Sequence, residues 1–170
     1  MTVLPRVRGD SGFNGFFDVR DPQALFKKMR YDYERMMAEP LNVFPAWDFF
    51  VTANHLIDWI WPSAGSAQHR EERRWEAIPH ICEHLANGAK HFIVNREHKA
   101  VAQIERTEGA FNAAAFDASV FDAARLLITL DPKQAGALGV EQITAADLAR
   151  RVLIYWGRRI GQDAFGAPRS

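Results

Sequence analysis

The chain has 170 residues, 48% of them hydrophobic and 25% charged, with 21 basic residues against 21 acidic ones. That length suits one domain around one core, and a formal net charge of zero supplies no field to draw nucleic acid or an anionic membrane. A single cysteine, Cys82, excludes an intramolecular disulfide framework and a Cys-rich zinc site.

Residues 1–20 place Gly9, Gly12 and Gly15 among aromatics and read as an extended arm. Two strings in this arm, Arg8-Gly9-Asp10 and Gly9-Asp10-Ser11-Gly12, match an adhesion tripeptide and a protease serine loop. No β-barrel pattern with His and Asp precedes Ser11, so the protease reading has no triad to complete. The first residues lack the apolar run of a signal peptide, and no segment has the length to cross a bilayer. The expectation is a cytoplasmic chain with no membrane association.

A first helix is predicted from Pro22 to Glu39, with Asp21 as its cap and Pro22 at its first position. Leu25, Phe26, Met29, Tyr33, Met36 and Met37 recur at helical spacing as its apolar stripe. The next helix starts at Pro45 and stops before Pro62. It is apolar around most of its circumference, which predicts the central, most buried element. Its exceptions, Asp48, Thr52 and His55, form one narrow polar strip with Asp58 at the margin. A short helix over Ser66–Trp75 carries Arg70-Glu71-Glu72-Arg73-Arg74 on its exposed side, and Pro79 separates it from its successor.

The helix from Pro79 to Phe92 holds His80, His84 and His91, with His98 just beyond. At about 100° per residue, Ile81, Cys82, Leu85, Ala86, Ala89, Phe92 and Ile93 share one side. His80, Glu83, His84, Asn87, Lys90 and His91 share the other, so these histidines lie off the apolar face. Cys82 lies on it and reads as core packing rather than as a nucleophile. Lys99–Arg106 and Arg125–Leu130 are strand candidates that could pair as an antiparallel hairpin, followed by an Asp131-Pro132 turn. Residues 107–124 receive no assignment. A final helix follows Thr144, which forms a capping box with Asp147, and Leu148, Val152, Leu153, Trp156 and Ile160 make its stripe.

The predicted fold class is therefore mainly α, a bundle of four or five helices with a small antiparallel β-hairpin. Within a single domain over 1–170, the arm occupies 1–20, the helical core 22–92, the hairpin region 99–130 and the C-terminal helix 144–161.

Three candidate sites arise. His55 and Asp58 from one helix with His84 and His91 from another could offer four N/O ligands to a divalent metal ion. In outline this pairing resembles DinB-like metal-binding bundles. Second, Arg74 followed by His80 resembles the Arg-x₄₋₆-His pattern of HEPN bundles. That resemblance implies ribonuclease chemistry, with His80 as general acid or base and Arg74 holding phosphate. Third, Asn87, Lys90 and His91 lie at i, i+3 and i+4, and His55 with Asp58 could complete a polar cluster. That cluster is either an anion- or metal-binding pocket with His91 as acid or base, or a hydrogen-bond network that sets how two helices pair. The strings Asp58-Trp59 and Asn87-Gly88-Ala89-Lys90-His91 also resemble a type of uncharacterised bacterial helical protein. The type implies an α-bundle with a small β addition and no particular activity.

Two function classes follow. One is a non-enzymatic interaction or regulatory protein, self-associating as a homodimer, in keeping with zero net charge and with twelve Phe and five Trp. The other is an enzyme, metal-dependent or HEPN-like, that uses the His-rich helix.

Overall fold

The computed structural model describes residues 15–62, 66–90, 100–107 and 125–165. The predicted sites His91 and His98 lie outside them, as do residues 1–14 of the arm and 108–124. Six helices and three strands occur among the described residues, so the chain is mainly α with a small antiparallel sheet.

Helix α1 spans Pro22–Ala38, and the Asp21 carboxylate accepts from the Ala24 N–H at 2.7 Å. It buries Phe26, Met29, Asp32 and Met36 at the three-to-four-residue spacing of a single face. Met37, expected on that stripe, is exposed, because it stands about 100° around the axis from Met36. The carboxylic acid Asp32 occupies part of the predicted stripe instead.

Helix α2 spans Val43–Ile60. It begins two residues ahead of Pro45, because the Asn42 side chain caps it by accepting from the Phe44 N–H at 3.0 Å. Pro45 sits in the first turn, where its missing N–H costs nothing. Ala46, Phe49, Phe50, Ala53, Leu56 and Ile57 are buried. The first turns depart from the expectation of a central, most buried helix, since Val43, Phe44 and Trp47 are exposed there.

Helices α3 (Ala67–Trp75) and α4 (Ala77–Lys90) are separated at Glu76. Pro79 lies inside the first turn of α4, so it begins this helix rather than dividing the two. On the predicted apolar side of α4, Ile81, Cys82, Leu85 and Ala86 are buried and Ala89 is half-buried, while Phe92 and Ile93 lie outside the described residues.

Strands β1 (Val101–Thr107) and β2 (Arg125–Leu130) pair antiparallel with Ile104 opposite Ile128, which is the predicted hairpin pairing. Helix α5 (Pro132–Leu138) replaces the expected turn, its N-terminus capped by Asp131 accepting from the Gln134 N–H at 2.9 Å. Strand β3 (Gln142–Thr144) then adds to the other edge of β2, giving the order β1-β2-β3.

Helix α6 (Ala145–Ile160) is capped as read from sequence, with the Asp147 N–H donating to Thr144 Oγ1 at 3.0 Å. After it the chain folds back over Gly157. A Cβ there would stand 2.8 Å from the Gln162 carbonyl oxygen, so this position has no room for a side chain.

One hydrophobic cluster unites α1, α2, α4, α6 and the sheet, with Trp156, Phe49 and Met29 among its largest fully buried members. Phe49 and Phe50 meet edge to face at 5.2 Å, as do Tyr155 and Trp156 at 5.0 Å. The aromatic load is thus divided: Phe26, Phe49, Phe50 and Trp156 are core, whereas Phe16, Phe17, Tyr31, Phe44, Trp47, Trp75 and Phe165 are exposed. No helix among the described residues is long and apolar enough to cross a membrane.

Candidate functional site

Among the described residues, those predicted for the polar cluster are not joined to one another. Asp58 of α2 turns toward α3: its Oδ1 lies 2.8 Å from His69 Nε2 and 3.2 Å from Arg73 Nη2. Arg73 also reaches Glu83 of α4 at 3.0 Å and Asn54 of α2 at 3.3 Å. One guanidinium therefore ties three helices together, and its planar fork serves several acceptors at once. No hydrogen bond or ion pair joins Asp58 to His55, Asn87 or Lys90. His55 and Lys90 are exposed and Asn87 is half-buried.

His84 has a different task. Its Nδ1 accepts from the backbone N–H of Ala100 at 2.8 Å and of Val101 at 2.9 Å. The ring proton accordingly sits on Nε2, and the side chain fastens α4 to the start of β1. His80 Nδ1 lies 2.9 Å from Nε2 of the buried Gln134, joining α4 to α5. Arg74 is in the last turn of α3, and its side chain is outside what the structure describes. Among the described residues, no three His, Cys, Asp or Glu side chains come together as a metal-holding group.

Two further polar groups escaped the sequence reading. The Asp32 carboxyl, 1% exposed, pairs with Lys28, stands 3.7 Å from Arg35 Nη1 and accepts from Thr52 Oγ1 at 3.3 Å. Arg35 in turn binds Asp48 at 2.9 Å, so part of the polar strip foreseen on α2 faces α1. Glu72 accepts from Tyr155 and from Arg159, whose guanidinium also lies 4.8 Å from the Tyr155 ring centre. Burial pushes the Tyr155 hydroxyl pKa up, and Glu72 adds to the rise. Burial likewise raises the Cys82 thiol, as expected of a core cysteine. Glu72 and Arg73, assigned to the exposed side of a surface helix, instead lock α3 onto its neighbours. Their partners come from distant segments, so helical spacing within α3 carries no sign of them.

The pKa of Asp32 is raised chiefly by burial and also by Asp48, while Lys28 and Thr52 pull it down. In acid, below about 4, folded and unfolded chains both hold this proton and it costs nothing. As pH rises through the unfolded value and then the raised native one, the unfolded chain ionises first and stability falls. The melting temperature of the wild type relative to Asp32→Asn is therefore expected to decline over that interval and then level off. Thermal melts of both proteins in matched buffers check this; a difference that rises with pH would contradict it.

The most distinctive surface feature is apolar. On α2, Val43, Ala46, Trp47 and Phe50 stand at i, i+3, i+4 and i+7, one helical face. Across from them α4 presents Leu85, Gly88 and Ala89, and the sheet presents Ile104, Leu126 and Ile128. Between these elements lies a groove of about 260 Å³ with almost wholly apolar walls. Gly88 and Ala89 are what leave it open, since larger side chains there would fill it. Of its lining, Val43 is 50% exposed, Trp47 51% and Ile104 60%; Phe44, 70% exposed, lines the neighbouring depression that shares Val43 with the groove. Helical spacing alone would assign α2's apolar face to the core, and only the packing shows that its first turns project beyond α4 and the sheet.

Compared with family models, with curated proteins and with solved structures, the chain shows no match to any of the three.

Proposed function

We propose that the protein is a non-enzymatic interaction protein and that the groove bounded by α2, α4 and the sheet is its docking face. The observation that carries this reading is the group of four large apolar side chains left half-exposed or more, Val43, Trp47 and Ile104 on one apolar groove and Phe44 directly beside it. Together they present on the order of 400 Å² of apolar surface, the size at which a patch on a monomer is often functional. Covering it would yield roughly 10 kcal/mol gross at ~25 cal/mol per Å². Association consumes much of such a gain, so a partner must match the groove in shape. The metal-dependent or HEPN-like ribonuclease reading draws on His80, His84, His91 and Arg74. His80 and His84 already have Gln134 and the β1 backbone as partners, so the groove offers the stronger basis.

The test is site-specific photocross-linking in cells expressing the full chain. A photoreactive residue at Trp47 is expected to give a discrete adduct. The same residue at Tyr31 or Met37, both exposed but away from the groove, should not. Ala89→Arg, which fills the groove, should abolish the adduct. Equal labelling at all three positions would remove the basis for a docking face.

A further inference from the structure

We propose that the groove's occupant is a second copy of this chain, joined across a two-fold axis; this rests on the docking-face reading. A two-fold interface must be complementary to itself, supplying both the projection and the recess that receives it. This face does so. Trp47 and Phe44 project from α2, and in the groove that Trp47 lines Gly88 and Ala89 leave the recess on α4. Charge at the margin agrees. Glu39 and Arg106 border the depression beside Val43 and Phe44, both are exposed, and neither has an ion-pair partner among the described residues. Glu39 instead accepts from Asn42, and Arg106 donates to the Leu41 carbonyl. A two-fold axis between them brings each acid to the other copy's base, twice per dimer. The zero formal charge of the chain opposes such pairing with no net repulsion. The apolar patch alone falls short of the ~800 Å² per partner of a standard interface, and this charged margin supplies part of the remainder.

Sedimentation velocity on the purified full chain, from about 1 to 100 µM, tests this directly. The expected result is a species of twice the chain mass. Trp47→Glu, at a half-exposed position that leaves the core intact, should weaken the dimer by about 30-fold or more without changing the far-UV circular dichroism. Glu39→Arg and Arg106→Glu should each weaken it, and the double exchange should restore it, which no general loss of stability can mimic. A single-chain mass at every concentration overturns the proposal, as does a dimer indifferent to Trp47→Glu. If the chain sediments as a monomer while the Trp47 cross-link joins it to a different protein, the second copy is wrong and the docking face stands. A monomer with no position-specific adduct ends both.

Discussion

Trp156→Ala is expected to cost about 3–5 kcal/mol, a large part of the 5–15 kcal/mol by which a typical domain is stable. The indole is fully buried on α6, packed edge to face on Tyr155, beside a small void lined by Ala53, Asn54, Ile57, Arg73 and Pro79. Truncation would enlarge that void against three helices that already hold one another through Arg73, leaving little freedom to collapse. Trp156→Phe should cost much less than loss of ring area implies. The indole N–H is buried without a hydrogen-bond partner, and Phe removes that unsatisfied donor, a group worth roughly 1–3 kcal/mol. Urea unfolding of the three proteins, followed by far-UV circular dichroism, measures both differences. A Phe variant as unstable as the Ala variant would show that indole shape, not volume, is what the core requires.

His84→Ala should destabilise by about 2–4 kcal/mol, because it takes the acceptor from two backbone N–H groups at once. Ala100 is fully buried, so water cannot readily replace the imidazole there; Val101 is only partly covered. His84→Asn should recover part of the loss, since an amide oxygen can stand near the position of Nδ1. Amide hydrogen exchange locates the effect: in the Ala variant, exchange at Ala100 and Val101 should accelerate first, with β1 loosening from α4. Uniform acceleration across the chain would mean the histidine supports the whole core rather than this junction. The prediction also separates two roles for the residue. A metal ligand would make stability respond to chelators, whereas this latch should be indifferent to them.

Helical spacing puts His84 off the apolar face, where it is, and carries no sign of what it meets there. Its two donors come from residues 16 and 17 positions further along, across a connection whose length hides the encounter. Asp32 teaches the complementary lesson. It lies three residues after Met29 and four before Met36, so the burial of a carboxyl at that site was implicit in the spacing. Asp58 stands at the margin of the polar strip on α2, yet its partners, His69 and Arg73, come from α3, where spacing puts Arg73 on the exposed side.

What the sequence determined by itself is local and periodic: the Asp21 and Thr144 caps, the Ile81-Cys82-Leu85 face, the stripe of the last helix and the existence of the two strands. Each rests on interactions among near neighbours or on a repeat matched to backbone geometry. Only the tertiary structure decided the third strand, the union of three helices around Arg73, and the apolar groove at the first turns of α2. These depend on how far one element extends past another, a relation between distant segments that no spacing within either one encodes.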